Sequence, residues 1–218
     1  NSLNYVNSLL YFTSYSVRTV VGYTETTTGM VKDANDDPVS NAEVSLIIDG
    51  EVLGTANSNN EGVVSFSAQF GEGIHDLQLS YNNIKSGKVS VTCFNPDTII
   101  VEDVWITKAN TITISATVEY NSNIVPNVPV YVTIGNDTNI VFTNNNGIVS
   151  FEFTGKGYDS TIQLQCGTNE QAINVHDSIL CLHNGELMVS KNYAAESRAT
   201  GQGTTNAYME WQGDVFKL

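Results

Sequence analysis

Residues 59–66 read NNEGVVSF and residues 144–151 read NNNGIVSF; six of the eight positions are identical, and Val63 is exchanged only for Ile148. The two octets lie 85 residues apart, and the correspondence continues outward from them in the same order. Upstream, PVSNAEV (38–44) answers VPNVPV (125–130), with Asn41 opposite Asn127 and Val44 opposite Val130. Downstream, the Gly-x-Gly of 71–73 answers that of 155–157, and LQL (77–79) answers IQL (162–164). Landmarks in one order at offsets of 84 to 86 mark an internal duplication.

Both copies alternate with the period of a strand. In the first, Val44, Leu46 and Ile48, then Val64 and Phe66, then Leu77, Leu79 and Tyr81 fall on one face. In the second the matching sets are Val130, Val132 and Ile134, then Val149, Phe151 and Phe153, then Ile162, Leu164 and Cys166. Val44, Leu46, Phe66, Leu79, Val130, Val132, Phe151 and Leu164 are therefore the expected core. Turn chemistry divides the runs at Asp49-Gly50, Glu61-Gly62, Asn146-Gly147 and Gly155-Lys156-Gly157. Short strands with frequent turns and no helical period give an all-β chain, read as two tandem β-sandwiches with flanking β segments.

The expected boundaries are an apolar N-terminal segment at 1–23, one sandwich at 24–94, a stiff connector at 95–107, a second sandwich at 108–175 and, at 176–218, a C-terminal β tail or the start of a further module. The connector, NPDTIIVEDVWIT, is too apolar for a flexible linker. Residues 1–23 favour strand, with an amphipathic helix over 3–12 as the alternative. In the tail, SILCLHNGELMVS carries a hairpin turn at His183-Asn184-Gly185, and EWQGDVFKL reads like the opening of another strand. That ending, and a start at Asn1, point to a processed chain or a piece of a longer one.

The 218 residues hold 23 acidic and 9 basic side chains, a formal charge of −14, which disfavours nucleic acids and anionic membranes as partners. No apolar run is long enough to span a bilayer as a helix. Charged residues make up only 15 %, so the polar surface comes from Asn, Thr, Ser and Gly. Cys93, Cys166 and Cys181 are too few for a disulfide framework; Cys166 and Cys181 would pair only if adjacent strands juxtaposed them, and the plainer reading is three small buried hydrophobes.

The order G-x-V-x-D-x-x-x-x-P-V-x-N-A-x-V followed by N-x-x-G-x-x-x-F resembles bacterial and archaeal immunoglobulin-like repeats. These occur in invasin/intimin-type and methanogen adhesin-like surface proteins and in structural proteins of tailed phages. The first copy carries the pattern at Gly29, Val31, Asp33, Pro38, Val39, Asn41, Ala42, Val44, Gly62 and Phe66. The second keeps Val125, Asn127, Val128, Val130, Gly147 and Phe151 but lacks the opening Gly and Asp. The resemblance implies the sandwich fold and supplies no catalytic residue.

The residues add little chemistry of their own. There is no P-loop, dinucleotide fingerprint or Gly-x-Ser-x-Gly elbow, so an enzyme is not expected. Asp33, Asp36 and Asp37 place three carboxylates in one loop, a candidate calcium site set against an ordinary Asx turn in an acidic protein. No other cofactor is expected. Asp177, Cys181 and His183 would share a strand face as candidate zinc ligands, without the spacing of any known finger. Asn136-Asp137-Thr138 is a glycosylation sequon. Tyr208 and Trp211 are candidate interface anchors, set against the core of a following module. The expected function is a non-enzymatic extracellular rod that displays or joins neighbouring modules in a virion tail, baseplate, decoration or filament assembly, with other protein chains or copies of itself as partners. The alternative is a cell-surface adhesin that binds a host or cell-wall glycan.

Overall fold

The computed structural model describes residues 9–178 in full and, beyond them, the backbone of four further strands. Among the described residues every regular element is a strand, and the chain divides into two compact units, Asn1–Asp97 with Asn127–Pro129 and the remainder from Thr98 onward.

The first unit is built from β1 (Leu9–Ser14), β2 (Arg18–Val20), β3 (Glu25–Lys32), β4 (Glu43–Ile48), β5 (Glu51–Asn57), β6 (Val63–Ala68), β7 (Gly73–Tyr81), β8 (Ile84–Lys85) and β9 (Val89–Phe94). One sheet has the order β1-β3-β6 and the other β2-β9-β7-β4-β5, with β8 folded back on β7. The second unit is built from β10 (Thr98–Ile100), β11 (Val104–Thr107), β12 (Thr111–Tyr120), β13 (Asn123–Ile124), β14 (Pro129–Ile134), β15 (Asp137–Phe142), β16 (Ile148–Thr154), β17 (Ser160–Cys166) and β18 (Asn169–Ser178). Here β12 pairs with β10, β13 and β16, and the other sheet runs β11-β18-β17-β14-β15. Apart from the short β8 and β13, each strand of one unit has its counterpart in the other, and the order is the same. The duplication read in the sequence is thus a duplication of topology.

In both units the first strand of the larger sheet lies parallel to the last: β2 with β9, and β11 with β18. Each unit therefore receives the chain at one pole and releases it at the other.

The alternation that predicts the strands also builds the cores. Along β6 and β17 every second side chain is buried. In the first sandwich Val44, Leu46, Leu77 and Leu79 from one sheet meet Val31, Val64 and Phe66 from the other. The sheets approach closely at Gly29, where an added Cβ would lie 2.4 Å from Leu79 Cδ1. In the second sandwich Val130, Val132, Ile162 and Leu164 are at most 1 % exposed. Phe151, expected in that core, is only half-buried. It pairs with Ile114, which borders an open cleft of about 300 Å³, and the buried aromatic is Phe153.

The repeated octet is a repeated turn. Asn59 Oδ1 accepts the Glu61 and Val63 N–H groups, both at 2.9 Å, and Asn144 Oδ1 accepts those of Asn146 and Ile148 at 2.8 and 3.1 Å. Gly62 and Gly147 take φ of +74° and +70°. A Cβ there would meet Val31 O at 2.5 Å or Ile124 Cβ at 2.9 Å, so the position demands glycine on both counts. Asn41 and Asn127 are left-handed as well, with φ of 56° and 58°, a conformation Asn tolerates better than most residues.

The strand pairing moves the expected boundaries. Residues 9–20 are not a separate apolar segment, because β1 pairs with β3 and β2 with β9 inside the first sandwich, and residues 9–12 are strand rather than helix. Residues 95–107 are not a connector either, because β10 and β11 open the second sandwich. That sandwich runs on through Ser178. In the tail, β19 (Leu180–His183) pairs with β20 (Glu186–Val189), the hairpin expected there, and β21 (Glu210–Gln212) pairs with β22 (Val215–Lys217).

Candidate functional site

Two of the three loop carboxylates are occupied by the fold, and Asp37 contributes its backbone N–H. Asp33 Oδ1 accepts the Asn35 and Asp37 N–H groups at 2.8 and 3.0 Å, and Asp36 pairs with Lys32 at 2.9 Å. Among the described residues no group of three His, Cys, Asp or Glu side chains is placed to hold a metal ion. Asp177, one of the candidate zinc ligands, is 3 % exposed and turned into its own sandwich. Its Oδ2 accepts the Lys156 N–H and, at 2.9 Å, the Gly157 N–H, which pins the Gly-Lys-Gly loop. The side chains of Cys181, His183 and Trp211, and the whole of Tyr208, lie outside the described residues. Cys166 is a buried thiol, and the side chain of Cys181, its candidate bridge partner, lies outside the described residues. Burial pushes the Cys166 pKa up to about 12 and that of Cys93 to about 11, the latter aided by the negative charges of Glu72 and Glu25. Asn136 of the sequon is exposed at the β14–β15 turn.

Two polar arrangements remain. In the first sandwich, His75 Nδ1 lies 2.7 Å from Asp49 Oδ2 and its Nε2 lies 2.8 Å from Gly71 O. Carboxylate and carbonyl oxygens only accept, so both ring nitrogens donate, which requires the imidazolium. The hydrogen bond to Asp49 raises the His75 pKa, and the same bond, with the Asp76 N–H, lowers that of Asp49.

In the second sandwich the outer face of the five-stranded sheet collects side chains from three strands. Buried Ile162 and Leu164 on β17 and Ile173, Val175 and Asp177 on β18 fix the inward set. Thr161 and Gln163 then point outward on β17, as do Asn174 and His176 on β18. Parallel pairing sets Trp105 beside His176, and the two rings stack at 4.7 Å and 26°. Antiparallel pairing sets Thr161 beside Asn174. Asn174 donates its N–H to Asp103 Oδ1 at 2.9 Å and its Nδ2 to Asp103 Oδ1 and Oδ2 at 3.2 and 3.3 Å. These bonds orient the carboxamide and lower the Asp103 pKa, the backbone bond first. A pocket of about 250 Å³ opens here, lined by Asp159, Ser160, Thr161, Asn174, Val175 and His176. The sequence marks none of these as a site, because 159–161 and 174–176 meet only through strand register.

The strand order defines the class: tandem immunoglobulin-type sandwiches. No family profile matches the chain, and no curated protein matches it. Similar solved structures are immunoglobulin- and fibronectin-III-like repeats. The fibronectin(III)-like modules of Clostridium thermocellum CbhA are 10 % identical over 82 % of this chain and 100 % of theirs, with a TM-score of 0.37. The Yersinia pseudotuberculosis adhesin InvE is 15 % identical over 95 % and 72 %, with a TM-score of 0.33. Domains 4 and 5 of the S-layer protein SbsC are 18 % identical over 78 % and 98 %, with a TM-score of 0.29. No helix among the described residues is long and apolar enough to cross a membrane.

Proposed function

We propose that the chain is a non-enzymatic extracellular structural or adhesion protein, a tandem spacer that holds neighbouring modules apart in a virion or filament assembly or on a cell surface. The observation that carries this reading is the parallel pairing of the first and last strands of the larger sheet in each unit. A unit threaded from pole to pole lengthens a chain instead of doubling it back. Tension on its two ends pulls the parallel strands in opposite directions, so their hydrogen bonds are loaded together in shear. What the two copies share is also structural: the Asn-capped turn, its glycine and the buried alternation.

The test is to tether the chain by both ends and pull. Two unfolding events are expected, each releasing roughly 80–90 residues, about 300 Å of extended chain. Extension without a force peak, or turnover in a panel of glycosidic, peptide and phosphoester substrates, would overturn the proposal.

A further inference from the structure

We infer that the outer face of the β11-β18-β17 sheet region is a binding site for a neutral saccharide. Its floor is the pocket of about 250 Å³, with His176 as an aromatic wall held flat by Trp105 at 4.7 Å. The inference goes beyond the spacer reading and does not depend on it.

The chemistry of the wall selects the ligand. A sugar presents hydroxyl groups that both donate and accept, together with an apolar C–H face. The pocket offers matching groups: a carboxylate at Asp159, a hydroxyl at Thr161, a carboxamide at Asn174, and a ring for the C–H face. Asp159 is set in place because its Oδ1 accepts the Asp177 N–H at 2.9 Å, and Asn174 by its bonds to Asp103. A volume below the roughly 300–1,000 Å³ of drug-sized sites suits one sugar unit of a longer chain.

Charge narrows the class further. None of the five strands of this sheet contains Lys or Arg. With Asp103 and Asp159 close by and a chain charge of −14, a sulfated, sialylated or phosphorylated ligand would be repelled. The duplication supplies an internal control. Trp105 paired with His176 is matched in the first sandwich by Arg18 paired with Thr92, and Thr161 paired with Asn174 by Asp76 paired with Ser90. The fold is common to both copies, and the aromatic–amide cluster belongs to one.

The full-length, isotopically labelled chain is titrated with cello-, chito-, manno- and galacto-oligosaccharides and with one sialylated and one sulfated oligosaccharide, following backbone amide signals. At least one neutral oligosaccharide is expected to shift Thr161, Asn174 and His176 saturably. Thr161→Arg and Asn174→Ala, both at exposed positions, are each expected to weaken that binding at least about tenfold, the loss of one or two hydrogen bonds. Thr92→Arg in the first sandwich is expected to leave it unchanged. Absence of saturable shifts with every neutral oligosaccharide, shifts confined to another surface, or tighter binding of the anionic pair would overturn the inference. The pulling experiment reads none of these quantities, so the two proposals fail separately.

Discussion

His75 ties the β4–β5 turn to the loop before β7, and it does so only while charged. Asp49 and Gly50 close that turn with φ of 53° and 92°, the backbone of a tight hairpin, and Asp49 Oδ2 faces the imidazole at 2.7 Å. Because the folded His75 pKa is raised, its stabilisation is fully present below the unfolded value of about 6.5 and is lost as pH rises through the folded value. Asp49, with a lowered pKa, contributes above about 3.9 and loses its contribution as pH falls through its folded value. The Asp49 side chain is 49 % exposed, so solvent screening keeps the pair to under about 1 kcal/mol. Denaturant unfolding between pH 6 and 9 should show the first sandwich weakening by that amount, and His75→Gln should remove the slope. An unchanged slope in the variant would show that other groups carry it. Of such residue-scale features, those imposed by the backbone are legible in sequence: Gly62, Gly147, Asn41 and Asn127 repeat because few residues tolerate their φ. Ser58 and Thr143 stand one place before the repeated Asn and are buried. Ser58 Oγ donates to Val39 O at 2.7 Å, and Thr143 Oγ1 donates to Val125 O at 2.8 Å. A hydroxyl residue in a Ser- and Thr-rich chain carries no comparable signal.

Whole elements are lost to sequence reading when they contribute backbone rather than side chains. The strands that open each sandwich, β1 with β2 and β10 with β11, occupy the same places in the two copies but share no recognisable sequence. Each of β1 and β10 sends a single buried apolar residue inward, Leu10 at 7 % and Ile99 at 5 %. Phe12 of β1 also packs, partly buried, against the core, and most of the remaining hold of the two strands is ladder hydrogen bonding, which any sequence provides. The strands with two or three inward residues, β4, β6, β7 and their counterparts, were readable because alternation needs that length to show. For the same reason the saccharide face was only half legible: alternation gives the outward positions, but the partner of each comes from register across strands. Deletion of residues 1–15 tests the new boundary. It removes β1, uncovers Val31 and strips Leu10 from the core, so the first sandwich should lose roughly 3 kcal/mol or more. Near-native stability of the truncated chain, followed by chemical denaturation, would return residues 1–15 to the status of an appendage.

At the scale of the molecule, each unit has its own two sheets and its own core, of about the size at which a single domain becomes self-sufficient. The two cores differ in where they keep their bulk. In the first, Phe66 is 8 % exposed and Phe70 is 5 % exposed; in the second, Phe151 is half-buried and Phe153 is 3 % exposed. Truncating a buried Phe costs about 3–5 kcal/mol, because the cavity left behind collapses only in part. Phe66→Ala should therefore lower the melting of the first unit alone, and Phe153→Ala that of the second alone. Phe151→Ala should cost clearly less than Phe153→Ala, because water already reaches part of its ring. Calorimetry with amide signals assigned to each half separates the two transitions. If either substitution moved both transitions by the same amount, the chain would be one cooperative body, and a pulling trace with two distinct events could not be expected of it.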